Sequence, residues 1–208
     1  MSARTRKLIG LTGGIGTGKT RVSELLRSLG ASVECADLVV RELQQPGGAL
    51  LEAIVAEFGD GYLQDDDELD RVKFGARVFS DPEARKRLNG LTGPLVQAEL
   101  AARYQAHAAS GVPLIVFDIP LLLEGRSAGR GSGSMPFDLV VLVYASAATQ
   151  LERVMARDGL SAEEAQARID SQMSIEKKRE LADVVIDNSG AWDATKAQVR
   201  ALYADWTA

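Results

Sequence analysis

The segment from Gly13 to Thr20 reads GGIGTGKT and fits the pattern G-x-x-x-x-G-K-[ST]. The residues before it, Leu8–Thr12, carry no charge and predict a short buried strand. The residues after it, Arg21–Leu29, predict a helix. A strand, a glycine-rich loop and a helix in this order are the context in which the pattern binds phosphate groups.

Each residue type in this segment has a chemical purpose. Glycine has no Cβ, so backbone N–H groups can approach the oxygens of a polyphosphate, and the following helix adds its positive N-terminal end. We expect Lys19 to meet the β- and γ-phosphates and Thr20 to offer its hydroxyl to Mg²⁺. An ordinary glycine-rich turn is the alternative, but the flanking strand and helix favour a nucleotide. The predicted nucleotide-binding residues of the loop are Gly14, Ile15, Gly16, Thr17, Gly18, Lys19 and Thr20.

Composition narrows the class of protein. The chain has 208 residues, of which 46% are hydrophobic and 5% aromatic, which suits one domain with a mainly aliphatic core. A net charge of −5 argues against a nucleic-acid groove, which is normally basic. Cys35 is the single cysteine, so an internal disulfide is impossible. We find no signal peptide and no membrane-spanning run, and expect a cytoplasmic protein, a monomer or weak homo-oligomer, that acts on small molecules.

The remaining pattern predicts strands alternating with helices. We predict a second strand over Ala31–Asp37, with Cys35 and Asp37 on the same face. Further strands are predicted at Pro113–Pro120, Phe137–Ala145 and Ala182–Asn188. Crossover helices imply parallel order. The sum is a three-layer α/β fold of the P-loop NTPase type with a five-stranded parallel sheet.

Two stretches do not fit a simple alternation of strands and helices. Residues 38–110 read as mostly helical and are too long for a crossover, so we expect an inserted helical subdomain that binds the acceptor. Residues 125–134, GRSAGRGSGS, predict a flexible surface insertion. We expect one domain, 1–208, with the acceptor subdomain at about 38–110 and a helical lid at about 153–180.

Several polar residues are candidates for chemistry. Asp118 ends a buried strand, where an aspartate often orders Mg²⁺; a turn or helix-capping role is the alternative. Arg153 and Arg157 lie one turn apart on a predicted helix, and arginines on a closing lid can stabilise the charge of a transferred phosphoryl group. No Asn-Lys-x-Asp element of a GTPase is present. A small-molecule kinase is therefore favoured, with a nucleotide-dependent switch as the alternative of another class.

Beyond the loop, a set of motifs in fixed order resembles the dephospho-CoA kinases. The resemblance runs from Gly10 to Asn188, nearly the whole chain. Its motifs are Gly10–Thr20, Ala36-Asp37 with Arg41, Leu88-Asn89, Pro94-Leu95, Pro120-Leu121-Leu122 with Glu124, Arg153 with Arg157, Arg168-Ile169 with Gln172, and Ala182–Asn188. Members of this family transfer the γ-phosphoryl group of ATP to the 3′-hydroxyl of dephospho-CoA, the last step of coenzyme A synthesis. Another kinase of the nucleoside-monophosphate-kinase type remains the alternative within enzymes.

The resemblance implies roles for residues that match the family motifs. Asp37 would be the base for the acceptor hydroxyl, with helix capping as its alternative role. Arg41, Leu121 and Glu124 would bind the acceptor, although Arg41 can also be a plain surface arginine. The lid set would be Arg153, Arg157 and Arg168, any of which can instead form salt bridges between helices. Asn188 would lie beside the adenine, or be a turn asparagine.

Two positions depart from the family pattern. The chain has Cys35-Ala36-Asp37 where the family usually has Asp-Ala-Asp, and Gly93-Pro94 where it usually has His-Pro. If Cys35 and Asp37 share a strand face, the cysteine removes a neighbouring negative charge, and Asp37 should ionise more readily. A pH–rate profile of Cys35→Asp identical to that of the wild type would contradict this hypothesis.

Overall fold

The computed structural model describes residues 6–129 and 135–208. These residues form two compact units. The first comprises the described residues up to Glu34 together with Tyr104–Ala208, and the second comprises Cys35–Arg103.

The first unit is built on a five-stranded parallel sheet. Its order is β2-β3-β1-β4-β5, which places the strand that leads into GGIGTGKT at the centre. In register, Ile9 lies opposite Val116 on one side and Leu139 on the other. The predicted parallel sheet is confirmed. Its strands are β1 (Lys7–Gly13), β2 (Ser32–Cys35), β3 (Leu114–Asp118), β4 (Leu139–Tyr144) and β5 (Val184–Asp187).

The described helices follow the predicted alternation. The helices are α1 (Lys19–Ser28), α2 (Ala36–Leu43), α3 (Ala49–Phe58), α4 (Arg71–Ser80), α5 (Pro82–Ala109), α6 (Leu122–Ser127), α7 (Ala147–Asp158), α8 (Ala162–Asp170), α9 (Ile175–Leu181) and α10 (Trp192–Thr207), with a 3₁₀ turn at Asp60–Tyr62. None of the helices in the described part of the chain is long and apolar enough to cross a lipid bilayer.

The core of the first unit is aliphatic, as composition predicted. β3 is buried along its whole length, which indicates that both faces of the sheet are covered. Helices α1 and α10 pack on this core through Val22, Leu26, Val199 and Trp206. These side chains cover the central strands, and the glycine-rich loop begins at the carboxyl end of β1.

The second unit has a core of its own. Leu50, Leu51 and Ile54 of α3 are buried with Phe74 of α4, whose ring meets that of Phe58 edge-on at 5.2 Å. Helix α4 begins where the side chain of Asp70 accepts two backbone N–H groups. Helix α5 continues through Pro94.

Two local predictions were wrong. The second strand ends at Cys35 and helix α2 begins at Ala36, so Asp37 lies in the first turn of a helix and shares no strand face with Cys35. A carboxylate is favourable at a helix N-terminus, which helps to end the strand there. Within the predicted flexible insertion, Gly125, Arg126 and Ser127 belong to helix α6; residues 130–134 of that insertion lie outside the described residues.

Candidate phosphate-binding site

The glycine-rich loop joins the end of β1 to the start of α1, as its motif predicts. Gly16 and Gly18 have φ angles of 77° and 82°, in the left-handed region that favours glycine. A Cβ on Gly18 would lie 2.4 Å from Nδ2 of Asn188, and one on Gly16 would lie 2.9 Å from the carbonyl oxygen of Gln150. Two of the four glycines of GGIGTGKT are therefore required both by backbone conformation and by close packing.

Backbone carbonyls of the loop are held from outside by side-chain donors. Nζ of Lys178 donates to the carbonyl of Gly13 at 3.1 Å, and Nδ2 of Asn188 donates to that of Thr17 at 2.7 Å. The hydroxyl of Thr17 donates to the carbonyl of Gly14 at 2.8 Å. In a trans peptide the N–H points opposite to the C=O, so holding the carbonyls outward turns the following N–H groups the other way. The first N–H groups of α1 have no helical acceptor and add to this concave set of donors.

The structure brings Lys19 and Asp118 together, two residues that the sequence predicted separately. Their side chains form an ion pair, and the hydroxyl of Ser23 donates to the second oxygen of Asp118 at 2.5 Å. Asp118 is only 5% exposed, so its charge is compensated by these two partners. The alternative role of Asp118, capping a turn or a helix, does not account for its contacts with Lys19 and Ser23. Thr20 is exposed on the first turn of α1.

Arg153 also lies against the loop. Its guanidinium donates to the carbonyl of Asn188 at 2.8 Å and, more weakly, to that of Gly16 at 3.4 Å. The side chain of Asn188 is buried and accepts a hydrogen bond from the hydroxyl of Thr195 at 2.9 Å while its amide holds Thr17. The amide of Asn188 is therefore engaged in supporting the loop; its predicted place beside the adenine stays a prediction.

The other two predicted lid arginines are paired with an aspartate. Arg157 contacts both carboxylate oxygens of Asp158, at 2.7 and 2.9 Å, and Arg168 donates to the same carboxylate at 3.0 Å. Hydrogen bonding from Arg157 lowers the pKa of Asp158, and the same contact raises the pKa of Arg157. Both arginines are more than half exposed, so these are surface salt bridges of small energy.

Sequence reasoning missed Lys178. It lies in a charged run that suggests a solvated surface, yet its side chain is completely buried and pairs with Oε1 of Glu124 at 2.8 Å. Burial lowers the pKa of Lys178, and the bond to Glu124 opposes that effect. A signal was available: Ile175 and Lys178 are three residues apart and therefore share one helix face, the buried face of α9.

The predicted lid is tied to the loop at a second point. Oε1 of Gln172 accepts the N–H of Ile15 at 3.0 Å. Glu124 accepts the N–H of Met173 at 3.1 Å. The segment between helices α8 and α9 is therefore anchored to the phosphate-binding loop.

The predicted acceptor residues are divided between the units. Asp37 and Arg41 lie in the second unit, both exposed and one turn apart on α2. Asp37 is inside the helix and does not cap it. Leu121, which is 52% exposed, and Glu124 lie in the first unit.

Oxygen donors for a metal ion are present beside the loop. Within residues 6–129 and 135–208, no group of three or more His, Cys, Asp or Glu side chains is arranged to hold a metal ion. Mg²⁺ does not require such a group, because it usually binds through substrate phosphates, water and one or two side chains. The hydroxyl of Thr20 and the carboxylate of Asp118 are suitable oxygen ligands, so the residues present fit Mg²⁺.

Comparisons with known proteins agree on one family. The family model described as "Dephospho-CoA kinase" matches residues 7–193. A dephospho-CoA kinase of Symbiobacterium thermophilum is 44% identical over 197 residues, which cover 95% of this chain and 80% of that protein. One of Leifsonia xyli subsp. xyli is 45% identical over 199 residues, with 95% and 98% covered. The solved dephospho-CoA kinase of Campylobacter jejuni has a TM-score of 0.71 at 27% identity, covering 98% of each chain.

Proposed function

The chain belongs to the dephospho-CoA kinase family, and we propose that it transfers the γ-phosphoryl group of ATP to the 3′-hydroxyl of dephospho-CoA. The observation that carries the proposal is the family match over residues 7–193, which includes the phosphate-binding loop and the motifs that follow it. The proposed reaction makes coenzyme A and ADP.

For the nucleotide, we propose that residues 14–20 bind the phosphates. Outward-held carbonyls support this role, because they leave N–H groups facing a polyphosphate. Lys19 would leave Asp118 and move to the β- and γ-phosphates, where its charge stabilises the transferred group. We place Asn188 at the side of the adenine, behind the loop that it supports.

For the metal, we propose that Thr20 and Asp118 hold Mg²⁺. When bound, Mg²⁺ would neutralise part of the phosphate charge. Asp118 would also keep Lys19 in place before ATP binds. This dual use is supported by the ion pair between the two residues.

For the acceptor, we propose that Asp37 is the general base. A ribose hydroxyl is a poor nucleophile, so a carboxylate within hydrogen-bond reach of it would accelerate transfer. Arg41 on the same side of α2 would steady the acceptor's negative groups, with Leu121 and Glu124 as further contacts. The exposure of Asp37 supports the role, since an exposed carboxylate is accessible to an acceptor.

For the lid, we propose that residues from about 153 to 180 cover the phosphates. Arg153 would act from the loop side, and Arg157 and Arg168 would exchange Asp158 for phosphate oxygens when ATP binds. Charge-assisted bonds to a phosphate are stronger than exposed salt bridges, which supports this exchange. Closure would also exclude water that otherwise hydrolyses ATP.

We further propose a cytoplasmic enzyme that acts without nucleic acid or membrane, as a monomer or a weak homo-oligomer. The net charge of −5 supports the proposal that nucleic acid is not a partner, because nucleic-acid-binding surfaces are normally basic. Light scattering across a range of protein concentrations tests the oligomeric state.

The test of the reaction is acceptor-dependent phosphoryl transfer. Wild-type protein, MgATP and dephospho-CoA should form coenzyme A, identified by mass, while AMP, adenosine and shikimate should not be phosphorylated. Asp37→Asn should lower kcat by roughly 10²–10⁴-fold. Asp65→Asn, at an exposed position in the same unit, is the matched control and should keep wild-type activity. ATP turnover on a rival acceptor, with no coenzyme A, would refute the proposed substrate.

A further inference from the structure

Lys178 is fully buried although its neighbours Lys177 and Arg179 are exposed. Its ammonium group donates to the carbonyl of Gly13 at 3.1 Å and to that of Pro120 at 3.3 Å, and it pairs with Glu124 at 2.8 Å. A buried ammonium group is costly in free energy unless acceptors surround it. Here the acceptors come from three different parts of the first unit.

Two of these acceptors lie next to groups that handle phosphate. Gly13 ends β1 and opens the glycine-rich loop. Pro120 follows β3 two residues after Asp118, and its carbonyl also accepts the hydroxyl of Thr12 at 3.0 Å. The ammonium group of Lys178 therefore links the start of the loop to the segment that carries the partner of Lys19.

The direction of the Gly13 carbonyl determines the direction of the next N–H. Because the peptide is trans and planar, a carbonyl directed at Lys178 turns the N–H of Gly14 to the opposite side. Glycine on both sides of this peptide leaves little steric resistance to its rotation. We infer that Lys178 is a positioning residue for nucleotide binding, which orients the first peptide of the loop without touching the nucleotide. The inference rests on the proposed function only in that the loop binds ATP and ADP.

A purely structural role is the competing explanation. Removing Lys178 alone would leave the carboxylate of Glu124 without its counter-charge, and Oε2 of Glu124 is already buried without a hydrogen-bond partner among the described residues. A single substitution would then destabilise the unit and weaken binding indirectly. The test must therefore remove the ion pair and the donor separately.

Three variants make that separation. Glu124→Gln removes the counter-charge of Lys178 but leaves its nitrogen the carbonyl acceptors of Gly13 and Pro120, and it keeps an oxygen for the N–H of Met173. Lys178→Met with Glu124→Gln removes the donor as well, without leaving an uncompensated charge. Lys177→Met is the matched surface control, since Lys177 is exposed and pairs with Glu180 on the same helix. MgADP is the probe, measured by titration calorimetry in the absence of an acceptor, so an acceptor role of Glu124 does not enter.

We expect the dissociation constant of MgADP to rise at least about 10-fold in the double variant, the effect of losing a charged hydrogen bond. It should stay within about threefold of wild type in Glu124→Gln and in Lys177→Met, and thermal unfolding should show both folded. Equal affinity of the double variant and the wild type would overturn the inference. So would a loss as large in Glu124→Gln, or a double variant that does not fold while Glu124→Gln does. If wild type binds MgADP but makes no coenzyme A, the proposed reaction fails and this inference stands.

Discussion

The contact between Gly18 and Asn188 allows a quantitative test of how the loop is supported. Gly18 has φ 82°, and a Cβ there would lie 2.4 Å from Nδ2 of Asn188, whereas ordinary contacts begin near 3.4 Å. Gly18→Ala therefore has two costs. The left-handed conformation costs about 1–2 kcal/mol for alanine. The amide of Asn188 must also move by about 1 Å, which breaks its buried bond to Thr17 at a cost of about 1–3 kcal/mol.

Asn188→Ala alone loses the same buried bond, again about 1–3 kcal/mol. In the double variant the clash has gone, because the next atoms near the added Cβ include Nη1 of Arg153 at 3.9 Å, an ordinary contact. Of the two costs of Gly18→Ala only the conformational one then remains, and the bond to Thr17 is lost once, through Asn188→Ala. The sum of the two single losses in the free energy of unfolding should therefore exceed the loss in the double variant by about 1–3 kcal/mol.

Urea denaturation without ligand measures all of these free energies. Trp192 and Trp206 are the two tryptophans of the chain, and both lie on α10 in the first unit, so their fluorescence reports the unit that carries the loop. Gly16→Ala is the matched control. Gly16 has a φ similar to that of Gly18, but a Cβ on Gly16 would meet Gln150 and Val154 and not Asn188. Additive effects of Gly18→Ala and Asn188→Ala, within about 0.5 kcal/mol, would refute this account of the packing.

Three further predictions concern stability. Ser161→Ala removes the capping box of α8 and should cost about 1 kcal/mol, so amide exchange in α8 should quicken about fivefold by mass spectrometry while α10 is unchanged. Asp158→Asn should destabilise the protein at neutral pH. Because Arg157 lowers the pKa of Asp158 below its ordinary 3.8, the stability advantage of the wild type over this variant should shrink as pH falls below 3.8. A difference in the free energy of unfolding that stays constant with pH in urea denaturation would contradict this. Gly10→Ala places a Cβ 2.6 Å from a methyl group of α6 and should cost about 1–3 kcal/mol, lowering the melting temperature in calorimetry, whereas Gly90→Ala, with no atom within 4 Å, should not.

The parts of the fold that the sequence predicted well are those specified by neighbouring residues. Helix α3, Ala49–Phe58, lies in the stretch predicted to be helical, and its bounds are specified locally by its apolar spacing and by the preceding Pro46-Gly47-Gly48. The buried strands were found because long uncharged runs suit the middle of a parallel sheet. The end of β2 was predicted wrongly, because the alternation of residues in Ala31–Asp37 is compatible with a strand throughout. The reason for a helix at Asp37 is that a carboxylate is favourable in the first turn of α2.

In the candidate site, too, some residues were predicted from local sequence and others were found only in the structure. The motif alone located Lys19 and the loop, and the resemblance located Asp37, whose role stays a prediction. The sequence also predicted Asp118 as a site residue, because an aspartate that ends a buried strand is an informative local signal. That the two charges meet, with Ser23 on the second oxygen, came from the structure.

The sequence by itself determined that this chain has a central strand, a phosphate-binding loop and a helix in succession, since each of these follows from residues within one short segment. Only the tertiary structure decided which side chains hold the loop. Lys178 contacts Gly13 across 165 positions of the chain, and Asn188 contacts Thr17 across 171. Such contacts depend on how helices pack on the sheet, and the local composition around Lys178 indicates a solvated surface. Burial by distant residues made that lysine part of the support of the phosphate-binding loop.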